Sequence, residues 1–155
     1  MHLSIERADF ADPHLGAFLR AHLDDLAPTA PVESRHALDL RRLQAPDVRL
    51  WVASVGDEIV GTGALAALDP GHEELKSMRT DPTRRGQGIA TRVLEHLLGD
   101  ARGRHIRRIS LETGSMDFFA PARALYAKAG FVFCSPFGSY REDPNSVFMT
   151  KALSG

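Results

Sequence analysis

The chain has 155 residues, enough for one domain, here residues 1–155, that buries a full apolar core. Its composition, 43% hydrophobic and 25% charged with a formal net charge of −1, is that of a globular domain and offers no bulk attraction to nucleic acid or an anionic membrane. The single cysteine, Cys134, excludes an internal disulfide and suits a reducing cytoplasm, where we expect the protein to work; no leader pattern and no apolar run of membrane length stand out.

Residues 3–8 read as a short strand. Asp12-Pro13 then caps a helix whose apolar stripe is Leu15, Phe18, Leu19, Leu23 and Leu26. Pro28 and Pro31 break it, and a second helix is expected over 33–43. Residues 48–55 and 58–65 form a hairpin about Gly56-Asp57. A strand over 74–80 ends at Asp81-Pro82, and its alternation puts Glu74 on one face with Lys76, Met78 and Thr80. Ile89, Val93, Leu94, Leu97 and Leu98 then recur at helical spacing. A strand over 106–112, a helix over 118–129 ended by Gly130, and strands over 131–136 and 146–152 complete the order. The segment 137–145 between the last strands is loop-like and rich in functional groups.

Arg84-Arg85-Gly86-Gln87-Gly88-Ile89-Ala90 lies where the strand over 74–80 gives way to a helix. A glycine turn opening a helix leaves backbone N–H groups unpaired at the positive end of the helix dipole, and glycines admit a phosphate close to the chain. This is an anion site by construction, with arginines at its rim. It is not a P-loop, because no Gly-Lys followed by Ser or Thr occurs. Nor is it the dinucleotide fingerprint, since Thr91 stands where Gly or Ala is needed. Gly61-Thr62-Gly63 fits the start of that fingerprint, but Asp69-Pro70-Gly71 follows where a helix should run, so these glycines read as strand irregularities.

The turn resembles the Arg/Gln-x-x-Gly-x-Gly/Ala signature of the GNAT acetyltransferases, here Arg85, Gly88 and Ala90. Ala122-x-x-Leu125-Tyr126-x-x-x-Gly130-Phe131 is similar to a second family motif, and the element order matches the family over essentially the whole chain. The resemblance implies an α/β fold with a central mixed, twisted sheet of about seven strands flanked by about four helices. It implies acetyl-CoA as co-substrate, held by Arg85, Gly86, Gln87, Gly88, Ile89 and Ala90 and by the strand residues Met78, Arg79 and Thr80. It also implies Tyr126 near the sulfur and Glu74, eleven residues before Arg85, as general base. Many members carry asparagine seven residues before the tyrosine, where this chain has Phe119, so one polar contact to CoA is missing or supplied elsewhere. Glu74-Leu75-Lys76-Ser77-Met78-Arg79 and Leu111-Glu112-Thr113-Gly114-Ser115 resemble a small bacterial subgroup, some of whose members carry amino-acid or indole-acetate labels.

The expected reaction is N-acetylation of a primary amine of a small molecule, an amino acid or related metabolite among the candidates. A non-catalytic acyl-CoA-binding regulatory module is the alternative. The fold implies an acceptor site near His22, Ser34, His36, Tyr140, Arg141 and Asn145, where Arg141 or Arg79 can take a carboxylate bidentately. The seven histidines show no metal-ligand spacing, so no metal is expected. Arg102, Arg104, His105, Arg107 and Arg108 lack interleaved aromatics, so they read as a solvated helix end and not as a nucleic-acid patch. Neither nucleic acid nor membrane is an expected partner; homodimerisation stays open.

Overall fold

A computed structural model describes residues 2–26 and 40–154, with side chains for 2–21 and 41–154. β1 (Ser4–Arg7) and α1 (Pro13–Leu26) open the chain, and the single turn α2 (Leu40–Leu43) is the described part of the second helix expected from the sequence. β2 (Val48–Val55) and β3 (Glu58–Asp69) form the expected hairpin. β4 (His72–Thr80) turns straight back along β3 through Pro70-Gly71. Then come α3 (Ile89–Gly103), β5 (Arg108–Gly114), α4 (Ala120–Lys128), β6 (Val132–Phe133) and β7 (Ser146–Ala152).

The seven strands make one mixed sheet in the order β1-β2-β3-β4-β5-β7-β6, with β4 and β5 its parallel pair. Seven strands and helices on both faces agree with the expected architecture. Several boundaries differ: β3 runs on to Asp69 instead of 65, and β4 begins at His72 instead of 74. β5 starts at Arg108 instead of 106, because α3 runs to Gly103 and the chain reverses with His105 at φ 65. β6 keeps two of its expected six residues, since only Val132 and Phe133 pair with β7. The helix expected from 118 begins with a 3-10 turn over Asp117–Phe119 before α4.

α3 buries Ile89, Val93, Leu94, Leu97, Leu98 and Ala101, a stripe at helical spacing. Each large apolar side chain so buried contributes about 1.5–3 kcal/mol. α3 can sit this close because β3 has Gly63: a Cβ there would lie 2.8 Å from Met78 Sδ and 2.9 Å from Val93 Cγ1. The glycines of β3 are therefore packing residues in a strand. On the other face, Leu15 and Leu19 of α1 and Leu43 of α2 cover Leu50 and Ala64.

β4 departs from the simple alternation. Its register along β3 slips between Ala64↔Lys76 and Thr62↔Arg79, so three steps on β4 match two on β3. Ser77 takes the extra place with φ 56, and Thr62 Oγ1 donates to its carbonyl at 2.8 Å. The bulge corrects the face assignment. Met78 packs with Leu75 in the core beneath α3, whereas Glu74 and Lys76 line a cavity with α2 and β2.

Candidate active site

Parallel pairing of β4 with β5 stops at Leu75↔Leu111. Beyond it the strands part, and the backbone edge of β4 along the gap has no paired strand. The gap opens into a cavity of about 550 Å³ whose walls include Lys76 to Thr80 from β4, Glu112 to Gly114 from β5, and Phe119 and Tyr126 from the α4 segment. Arg85, Gly86, Gly88, Ile89 and Ala90 close one end.

That end has the geometry of an anion cradle. Gly86 and Gly88 both take φ 80, a conformation costly for residues with a Cβ, and a Cβ on either would meet nothing within 4 Å. The turn is thus bare backbone beside open space. Gly88 is the N-cap of α3, and its carbonyl accepts the helix's first hydrogen bond from Arg92 N–H at 3.1 Å. The preceding N–H groups belong to the turn that has no intrahelical acceptors. Arg84 does not add its charge to the groove: it pairs with Glu58 at 2.8 Å. Arg79 takes that place. It lines the cavity with Arg85, and its pKa is lowered by burial and then by the Arg85 charge, with Asp81 acting the other way, so the two guanidiniums stand near each other at this end of the cavity. Further along, the buried Ser77 Oγ has no hydrogen-bond partner among the described residues. Two cations, a bare helix N-terminus and an orphaned hydroxyl fit a long ligand with phosphates at one end and polar groups along its arm.

Tyr126 is 6% exposed and stacks edge-to-face on Phe131, with ring centres 5.8 Å apart. Burial, and then the charge of Glu112, push its hydroxyl well above the ordinary tyrosine value, so it remains a proton donor. Glu112 accepts from Ser146 Oγ at 2.6 Å. Phe119 lays its ring across Gly114, where a side chain would collide with it. Asn145 also lines this cavity, its backbone N–H bonded to Asp143 at 2.8 Å and its carbonyl accepting from Ser115 at 3.1 Å. An asparagine thus reaches the groove from a different loop.

Glu74 lies outside the large cavity. It is buried on the opposite side of β4, where Tyr140 donates its hydroxyl to Oε2 at 2.5 Å and Lys76 Nζ stands 3.8 Å from Oε1. Burial, and then the charge and hydrogen bond of Glu74, raise the Tyr140 hydroxyl far above its usual value. Edge-on and tilted contacts with Phe137 and Phe148, at 5.2 and 5.5 Å between ring centres, hold the Tyr140 ring. Glu74, Lys76 and Tyr140 line a second cavity of about 300 Å³ with Arg42, Asp47 and Ser139. Lys76 borders both cavities.

Of the acceptor residues expected from the sequence, Tyr140 is in the second cavity, but it binds Glu74. Arg141 is exposed and lines neither cavity, and Arg79 lies on the large one. His22 has only its backbone described, in α1; Ser34 and His36 lie outside the described residues. The sequence reading missed Arg42, Lys76 and Glu112. Lys76 carried a usable signal, two residues from Glu74 on the same strand face. Arg42 and Tyr140 come together only through the fold.

The Acetyltransferase (GNAT) family profile matches residues 16–131, and the chain belongs to that family, as an acyltransferase. It is 46% identical to the uncharacterized N-acetyltransferase YsnE of Bacillus subtilis over 153 residues, covering 99% of this chain and 100% of the relative. A solved structure from Klebsiella pneumoniae, provisionally described as an acyl-CoA N-acyltransferase, is 33% identical with a TM-score of 0.81, covering 98% of each chain. PaiA N-acetyltransferase of Thermoplasma acidophilum, solved with coenzyme A, shares the fold at 16% identity with a TM-score of 0.77, over 99% of this chain and 100% of that one.

Proposed function

We propose that the protein transfers the acetyl group of acetyl-CoA directly to the primary amine of a small molecule, in a ternary complex. The parting of β4 and β5 carries this reading. It leaves a glycine turn at the end of one cavity and a carboxylate-lined cavity across the strand, with Lys76 bordering both. In this reading Arg85, Gly86, Gln87, Gly88, Ile89 and Ala90 hold the pyrophosphate, and Met78, Arg79 and Thr80 flank the acyl arm. The PaiA structure, with coenzyme A bound to the same fold, supports the choice of ligand.

The amine nitrogen attacks the thioester carbon; a C–N bond forms, the C–S bond breaks, and the amine loses a proton. An alkylammonium has a pKa of about 10.4, so only about one in a thousand is nucleophilic near neutrality. Glu74, facing the acceptor cavity, removes that proton. The thioester oxygen gains charge in the intermediate, and N–H groups on the open edge of β4 stabilise it by about 3 kcal/mol per donor.

The departing thiolate then takes a proton. A thiol of this kind has a pKa of about 8.5 against about 10 for an ordinary tyrosine, and Tyr126 is raised further by burial. Complete transfer from Tyr126 is therefore uphill by more than about 2 kcal/mol. Its role is to hydrogen-bond the sulfur as charge develops, with water completing protonation.

Incubation with acetyl-CoA and a metabolite extract, followed by mass spectrometry, tests the proposal. N-acetylated amines appearing with free CoA support it. Binding of acetyl-CoA with no thiol release in the presence of amines would make the protein a CoA-responsive module instead.

A further inference from the structure

Lys76 is a charged group at the reaction centre that the chemistry above does not use. Its side chain is 9% exposed, and among the described residues no atom accepts a hydrogen bond from it; Glu74 Oε1, at 3.8 Å, is an ion-pair neighbour beyond hydrogen-bond reach. An ammonium carries three donors, and a ligand carboxylate here would give this one an acceptor that the described residues do not. Among the described residues it is the one that lines both cavities.

We infer that the acceptor carries a carboxylate beside its amine, and that Lys76 receives this carboxylate with Arg42 as an outer cation. The inference rests on the N-acetyltransfer reading above and narrows its acceptor to zwitterionic amino acids. Two features of the second cavity support it. Its lining carries both signs of charge, Glu74 and Asp47 with Lys76 and Arg42, and the hydroxyls of Ser139 and Tyr140. An α-amino acid holds opposite charges on adjacent carbons, a spacing that fits between Glu74 and Lys76, amine to the former and carboxylate to the latter. A polyamine or aminoglycoside would bring further ammoniums against Lys76 and Arg42. The volume, about 300 Å³, is at the small end for ligand pockets and suits a single amino acid better than a peptide.

Tyr140 secures the arrangement. Its hydroxyl occupies Glu74 Oε2 and leaves Oε1 toward Lys76 and the incoming amine. The aromatic clamp of Phe137 and Phe148 fixes that ring, so the recognition geometry is built before the acceptor arrives.

The test compares thiol release from acetyl-CoA with each proteinogenic L-amino acid, its carboxamide, and 1,4-diaminobutane. The wild-type enzyme is expected to prefer free acids over carboxamides by roughly 10- to 100-fold in kcat/KM, the worth of a charge-assisted hydrogen bond. Lys76→Met should raise KM for the free acids by a similar factor and for the carboxamides by far less; Lys76→Arg should recover part of the loss. Carboxamides or the diamine accepted as well as the free acids would overturn the inference while acetyl transfer stands. So would a Lys76→Met variant that loses kcat equally for acids and carboxamides, since the ammonium would then serve the thioester oxygen. The wild-type comparison decides even where the variant folds poorly. If the metabolite extract also gives no acetylated amine, the parent reading fails, and this inference with it.

Discussion

In the proposed reaction Tyr126 acts from the large cavity and Glu74 from the second, and their substitutions should separate accordingly. Tyr126→Phe removes a hydroxyl from a ring already held by Phe131, so acetyl-CoA affinity should hold while turnover falls about 10²-fold. A rate equal to wild type would make the tyrosine structural and leave protonation wholly to water. Because burial and Glu112 raise the Tyr126 hydroxyl, it keeps its proton through pH 10, and the wild-type rate should show no alkaline decline from this group below that point. Glu74→Gln should cost most at low pH, because above about pH 9 a growing share of the amine is already deprotonated. A loss independent of pH would assign Glu74 to positioning the substrate.

At the scale of elements, the site depends on how α3 is fastened to the sheet. Arg104, just past its last turn, donates two hydrogen bonds to the buried Glu73 of β4, at 2.7 and 2.8 Å. Asp100 binds Arg104 at 3.1 Å and receives two bonds from Arg49 of β2, at 2.8 and 2.9 Å. Burial pushes the Asp100 carboxyl upward, but hydrogen bonds and charges from Arg49 and Arg104 outweigh it and hold the pKa below the ordinary value. A group depressed in the folded state adds stability above its unfolded value, about 4, and loses it as pH falls through the folded value. Asp100→Asn should therefore lower stability by about 2 kcal/mol at pH 7, and the difference from wild type should shrink below about pH 3. Denaturant unfolding at the two pH values measures this; a constant difference would show that the cost is packing.

The fold was largely legible because its strongest elements repeat with clean periods. The α3 stripe and the hairpin of β2 and β3 were evident from residue spacing. The bulge at Ser77 was not, because serine gives no glycine-like signal for positive φ, and strict alternation then put Met78 on the wrong face. The glycine turn was legible because Gly86 and Gly88 lie directly before α3 in sequence, Gly88 as its N-cap. The second cavity was not, since Arg42, Lys76 and Tyr140 meet only after the sheet has formed.

The whole-molecule account needs acetyl-CoA to bind along the gap between β4 and β5, phosphates on the turn before α3. Gly88→Asp tests this most directly. It puts a carboxylate into the space a phosphate would occupy, at a position whose φ of 80 already disfavours a side chain. Calorimetric titration with acetyl-CoA should show saturable binding by the wild-type protein and none by a folded Gly88→Asp variant. Equal affinity of the two proteins for acetyl-CoA would contradict the account.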